Sequence, residues 1–154
     1  MSCNLWRNFA NINSSWKSIL SIIDYYDLHQ DEYIPTHKPG RWHDPDTLVI
    51  GNPGITVNMA IAQMTIWSIW SAPLIMSTDL RTIGPEFRNI LLNREVIDVD
   101  QDPMGIMGQL VANISGVSVY VKPITPVYDH WGNTIYSFAL GFLNRDIKAN
   151  VSCF

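Results

Sequence analysis

Between Ser15 and His29, apolar residues recur at Trp16, Ile19, Leu20, Ile23 and Tyr26, while Lys17, Ser18, Ser21 and Asp24 fill the other positions. Steps of three and one keep the apolar set on one helical face, so the pattern predicts an amphipathic helix over about 15–29. Ser14 or Asn13 is placed to cap it. Ahead of it, Cys3 to Phe9 predicts a short strand. Behind it, Gln30 to Pro39 predicts a loop, with Pro35, Pro39 and Gly40 as breakers. A second strand lies either at Arg41–Asp44 or at Leu48–Ile50, and Asn52-Pro53-Gly54 is a turn. Val57 to Ser71 predicts a helix that is apolar on most sides. Leu74 to Met76 predicts a third short strand. A third helix starts near Pro85, a residue favoured at the first helical position. Glu86 sits in its first turn, and Phe87, Ile90 and Leu91 form its apolar side. Strand and helix alternate three times, which predicts parallel βα units.

The pattern changes after Asp102-Pro103. Helical spacing gives way to Gln109–Ile114, Val117–Lys122 and Thr134–Leu143, which predict strands, with turns at Ser115-Gly116 and Trp131-Gly132-Asn133. The expected organisation is α/β over residues 1–103 and antiparallel β over 104–154. Three βα units do not close a barrel, which takes about 250 residues. They form either a small open sheet or part of something larger. The apolar helix over 57–71 favours the larger assembly, because Trp67 and Trp70 are expected to lack partners in this chain and to leave it molten or aggregation-prone.

Composition narrows the class. Of 154 residues, 47% are hydrophobic and 16% charged, which excludes a disordered chain. The net charge of -4 and the lack of a Lys/Arg cluster argue against a nucleic-acid surface. Six Trp and six Tyr suit a sugar site, and they suit a large core equally well. No charge occurs between Asp46 and Asp79, but Asn58, Gln63, Thr65, Ser68 and Ser71 interrupt that run and Pro73 ends it. A membrane span needs ~20 apolar residues, so a buried helix is the better reading. Cys3 and Cys153 are too few for a disulfide framework, and no metal-type Cys/His spacing is present. The N-terminus lacks a signal-peptide core. Three Asn-X-Ser sequons, at Asn13, Asn113 and Asn150, hint at a secretory route.

The densest chemistry lies in Gly40-Arg41-Trp42-His43-Asp44-Pro45-Asp46-Thr47-Leu48-Val49-Ile50-Gly51-Asn52. Asp-Pro-Asp predicts a turn, because Pro45 fixes its own φ and pushes Asp44 towards extended geometry. The two carboxylates either cap that turn or present acids to a substrate at a strand end.

Four motifs then point to a family. Cys3-Asn4-Leu5-Trp6-Arg7-Asn8-Phe9, Trp42-His43-Asp44-Pro45-Asp46, Ala72-Pro73-Leu74-Ile75-Met76-Ser77-Thr78-Asp79-Leu80-Arg81 and Asp100-Gln101-Asp102-Pro103 resemble, in that order, the animal α-galactosidases and α-N-acetylgalactosaminidases. The resemblance runs from about residue 3 to 108. It implies the last three βα units of a (β/α)8 barrel followed by the start of an antiparallel β domain. It also implies retaining hydrolysis of terminal α-galactosides or α-N-acetylgalactosaminides, without a cofactor or a metal. In that chemistry two carboxylates ~5–5.5 Å apart act as nucleophile and as acid/base.

The resemblance assigns roles residue by residue. Arg7 matches an arginine that donates to sugar hydroxyls and helps hold the acid/base carboxylate. Asp46 matches a carboxylate lining the galactose pocket. Thr47 stands where the family usually has Met, and His43 where relatives have Asn. Cys3 matches a cysteine whose disulfide partner lies upstream. The acid/base position falls on Asn11, where the family has Asp. An amide has no proton to lose near neutral pH, so it cannot act as acid and then base. The nucleophile's strand is not matched in the chain. The expectation is therefore a fragment of such a hydrolase, inactive by itself; the alternative is a non-catalytic carbohydrate- or partner-binding remnant. The family further implies a homodimer and a lysosomal or secreted location.

Overall fold

Helix α1 spans Trp16–Leu28 and buries Ile19, Ile22, Ile23 and Tyr26. Its cap is Ser15, whose side chain accepts from the Ser18 backbone N–H, rather than Ser14 or Asn13. The structure, a computed structural model, describes residues 3–145. Within them, strand β1 (Leu5–Arg7) precedes α1, and strand β2 (Trp42–Asp44) pairs with β1 in parallel, Arg7 opposite Asp44. Of the two candidate second strands, Arg41–Asp44 is therefore the one that pairs with β1. Leu48 meets Met76 in a single parallel bridge, so the expected strand at Leu74–Met76 shrinks to one contact. Its backbone leaves the ladder early because Pro73 has no N–H and its carbonyl turns back to accept from Ile75. The expected loop after α1 contains a short helix, α2 (Gln30–Tyr33).

Helix α3 (Val57–Ile69) is capped by Thr56 and is enclosed on several sides. It packs against α1, α4 (Pro85–Leu91), α5 (Arg94–Asp100) and the later strands. Asn93 caps α5, a helix the sequence pattern did not indicate. Trp67 is 0% and Trp70 2% exposed, contrary to the expectation that they lack partners. Tyr26 of α1 stacks on Trp70 at 4.6 Å, Trp67 packs beside Trp70 with ring centroids 5.5 Å apart, and the chain's own β-sheet packs on α3.

That sheet is antiparallel, in the order β3 (Gln109–Ile114), β4 (Val117–Tyr128) and β5 (Thr134–Asn144). Its inner face sends Tyr120 and Leu143 into the same core as α1 and α3. Gly108 lets the chain pass close: its N–H donates to the Ile69 carbonyl at 2.9 Å, and a Cβ there would lie 2.5 Å from Ile69 Cγ2.

Lys122 of β4 is wholly buried. Its ammonium donates to the Ser68 carbonyl at 3.2 Å, to Ser71 Oγ at 2.6 Å and to the Val99 carbonyl. Ser68 and Val99 lie in the last turns of α3 and α5, where terminal carbonyls and the helix dipole favour a cation; the Ser68 carbonyl also accepts from the Ser71 N–H at 3.2 Å. Ser71 follows α3 in the left-handed region, φ 52, and Ala72 N–H closes the helix on the Trp67 carbonyl. Arg145 adds a further tie, reaching Asp24 and, at 2.7 Å, Asp27 of α1. The outer sheet face, with Phe138, Leu140 and Phe142, is exposed. No helix among the described residues is long and apolar enough to cross a membrane.

Candidate functional site

The C-terminal ends of β1 and β2 bring three of the expected site residues together. Arg7 ends β1 beside Asp44, and Pro45 turns the chain so that Asp46 takes φ 80. The turn is held by Asp44 Oδ1, which accepts from the Asp46 N–H at 2.8 Å. Asp44 thus caps the turn, while Asp46 points back over β1.

The Asp46 carboxylate is buried and well supplied with donors. Its Oδ2 accepts from Arg7 Nη1 at 2.8 Å and from the Ile12 N–H at 2.8 Å, and its Oδ1 accepts from the Thr47 N–H at 2.7 Å. One lone pair of Oδ1 remains for a ligand hydroxyl. Arg7 Nη1 also donates to Asn11 Oδ1 at 2.6 Å, and Arg7 Nε lies 3.9 Å from Asp44 Oδ2. Arginine only donates, so Asn11 must turn its oxygen inward and its NH₂ outward. Among the described residues nothing bonds Arg7 Nη2, and the side chain is 39% exposed. The corner therefore presents guanidinium and amide donors beside a buried carboxylate, a set suited to hydroxyl groups.

Helix α3 supports this corner from behind. Trp67 Nε1 donates to the Asp46 carbonyl at 2.8 Å, which fixes the strained residue. Gln63, fully buried, donates to the Thr47 carbonyl at 3.2 Å and accepts from the Val49 N–H at 3.0 Å. Gln63 and Trp67 are four apart and so share one helix face. The sequence showed Gln63 only as a polar interruption in an apolar run.

A second layer joins β1 to β2. Asn8 Oδ1 accepts from Tyr26 OH at 3.0 Å and from His43 Nδ1 at 3.1 Å. The His43 ring stacks on Tyr33 with centroids 4.5 Å apart, and its Nε2 lies 2.8 Å from Thr36 Oγ1. Its backbone N–H donates to His37 Nδ1 at 3.3 Å. Burial lowers the pKa of His43, and it brings His37 down to about 4. Both rings are thus held neutral around neutral pH and serve as hydrogen-bond spacers. Nothing in the sequence pattern linked Asn8 and Tyr26 to this layer.

The other site residues fall as follows. Thr47 is half-buried beside Asp46. Cys3 is exposed, free among the described residues, and donates to the Leu5 carbonyl at 2.8 Å. Cys153 and the Asn150 sequon lie outside the described residues.

Comparison with known proteins adds the family context. Residues 1–102 match the Melibiase_2 family profile, described as Alpha galactosidase A. The chain is 52% identical over 110 residues to the alpha-N-acetylgalactosaminidase of Rattus norvegicus, covering 71% of this chain and 26% of that protein. It is 38% identical over 161 residues to human alpha-galactosidase A, covering 99% of this chain and 38% of that protein. The chain thus spans well under half the length of the curated relatives it matches. Among solved structures, a candidate alpha-galactosidase/melibiase from Bacteroides fragilis superposes with a TM-score of 0.78 at 28% identity, over 92% of this chain and 31% of that one.

Proposed function

Since the chain belongs to the alpha galactosidase A (Melibiase_2) family of glycoside hydrolases, we propose that it forms one wall of the sugar pocket of an α-galactosidase-type retaining hydrolase. The substrate class is a terminal α-galactoside or α-N-acetylgalactosaminide. The observation that carries this reading is the Arg7–Asn11–Asp46 corner at the C-terminal ends of two parallel strands. Barrel enzymes build their sites at that end of the strands. In this reading residues 1–103 are the last three βα units of a (β/α)8 barrel, and 104–154 begin the antiparallel β domain. The family's disulfide would join Cys3 to a cysteine beyond these residues. Glycosylation at the sequons, a lysosomal or secreted location and homodimerisation belong to the same proposal.

Mechanistically, Arg7 donates to ring hydroxyls, and Asp46 both anchors Arg7 and offers its one remaining lone pair. Thr47 lines the wall with a small polar side chain. Position 11 is where the leaving oxygen would be protonated and water later activated. Its amide can donate a hydrogen bond to that oxygen but cannot transfer a proton. Losing general acid/base help costs about 10² to 10⁴ in rate. The attacking carboxylate is placed on a strand outside these 154 residues. The chain by itself therefore binds sugar weakly and does not hydrolyse it.

The Asn11 amide favours the second reading, a carbohydrate-binding remnant without catalysis, and one experiment addresses both. The purified chain is assayed with an aryl α-galactoside and, separately, titrated with galactose. No hydrolysis is expected, together with weak galactose binding that Arg7→Ala abolishes. Measurable turnover would remove the claim of silence. Binding that survives Arg7→Ala would remove the corner from the sugar site.

A further inference from the structure

The antiparallel sheet has two unlike faces. Towards the core it sends Tyr120, Leu143 and both of its cations: Lys122 is buried, and Arg145 bonds Asp27 of α1. The other face is apolar. There Val119 lies opposite Phe142, Val121 opposite Leu140 and Pro123 opposite Phe138. Side chains alternate between faces along a strand, so these three pairs share one surface. Ile114, paired with Val117, extends it on β3, and Tyr136 extends it on β5. No charged side chain stands at any of these positions.

The surface is large for a chain of this length. Tyr136 is 77%, Phe138 56% and Phe142 57% exposed. At ~200 Å² for an aromatic side chain, these three alone present about 400 Å². Leu140, Ile114 and the half-buried row on β4 bring the apolar face to roughly 700 Å². The largest apolar patch on a typical monomer is about 300–600 Å². One partner of a standard stable interface buries about 800 Å².

We propose that this face is where a second copy of the chain docks, sheet against sheet about a two-fold axis. Two such faces bury roughly 1,400 Å² together, within the range of specific interfaces. A polar or charged partner would lose its water here and gain no hydrogen bonds in return. A second copy brings matching chemistry. Because Lys122 and Arg145 turn inward, no like charges meet across the axis. Face-to-face sheets pack with their strands within about 30° of one another, and the outward rows of β4 and β5 interdigitate. The inference rests on the preceding reading in one respect, that copies of the chain associate, and adds the face that joins them. The sugar corner takes no part in it.

The test is sedimentation velocity of the 154-residue chain across the micromolar range, joined to hydroxyl-radical footprinting at the same concentrations. A monomer–dimer equilibrium that saturates at two copies is expected, with a micromolar or tighter Kd. Phe138, Leu140 and Phe142 should lose reactivity as the dimer forms, while Leu28, 79% exposed on α1, keeps it. Leu140→Lys places an ammonium on the face of both copies and should raise Kd by about 10-fold or more. Leu28→Lys should leave Kd unchanged. A monomer throughout, or growth beyond two copies without a plateau, overturns the proposal. A dimer whose footprint spares these three residues also overturns it, while leaving the homodimer of the preceding reading standing. The footprint needs no variant, so the outcome is decisive even if Leu140→Lys fails to fold.

Discussion

The ion pair between Arg7 and Asp46 holds the candidate site together, and its strength can be measured by a double-mutant cycle of Arg7→Met, Asp46→Asn and the double variant. The bond is 2.8 Å long and charge-assisted. A hydrogen bond to a charged group contributes about 1.5–3 kcal/mol to stability. Asp46 is only 6% exposed in its side chain, but Arg7 is 39% exposed, so solvent screening reduces that value. A coupling energy of about 1–2 kcal/mol is expected. Arg7→Met alone leaves Asp46 with the Ile12 and Thr47 N–H groups and should destabilise by about 1–2 kcal/mol. Asp46→Asn turns an NH₂ towards the donors of Arg7 and Ile12, or towards Thr47 N–H, and should cost about 2–3 kcal/mol. Urea unfolding followed by tryptophan fluorescence gives the three values. A coupling below about 0.3 kcal/mol, the limit of ordinary additivity, would show that the two residues act independently and that Asp46 does not position Arg7.

Three more outcomes are expected. Asp100→Asn should flatten the pH profile of stability. The folded-state carboxyl is raised from 3.8 to about 7, so the wild type carries no penalty below pH 4, loses stability as pH climbs towards 7 and pays in full above it. The variant should therefore be more stable by about 1–3 kcal/mol at pH 8 and equal at pH 4; equal profiles refute this. Trp67→Phe should cost about 2–3 kcal/mol in thermal unfolding, because the buried Asp46 carbonyl loses its donor and the smaller ring leaves a void. Gly108→Ala should cost about 1–3 kcal/mol, since its Cβ meets Ile69 Cγ2 at 2.5 Å and the Ile69 carbonyl oxygen at 2.8 Å; a melting temperature within a degree of wild type would refute the clash.

Much of this was legible from residue patterns, and the exceptions have physical causes. The apolar face of α1 and the three antiparallel strands needed only periodicity and turn residues. The cap of α1 did not follow, because Asn13, Ser14 and Ser15 are all good caps and only tertiary geometry selects Ser15. The resemblance brought Arg7, Asn11 and Asp46 together, and the structure does place them in contact. It gave no sign that Asp46 spends most of its acceptor capacity on the protein itself. Trp67 and Trp70 do find partners, because α1 brings Tyr26 onto Trp70 and the turn after β2 gives the Asp46 carbonyl to Trp67, contacts that spacing along the chain does not reveal. Lys122 and Asp100 were invisible as buried charges. A lysine on an alternating strand suggests solvent, unless two helix ends lie within its reach.

That reach has a consequence for synthesis. Emerging N-terminus first, α3 and α5 leave the ribosome well before residue 122. Until the ammonium arrives, the Val99 carbonyl has only water and the Ser68 carbonyl only the Ser71 N–H, so the closing turns of both helices are less firmly held. Their final consolidation waits for the β4 strand, and a nascent chain stalled before Lys122 should be cut by proteases at those two turns while a chain stalled beyond the sheet resists.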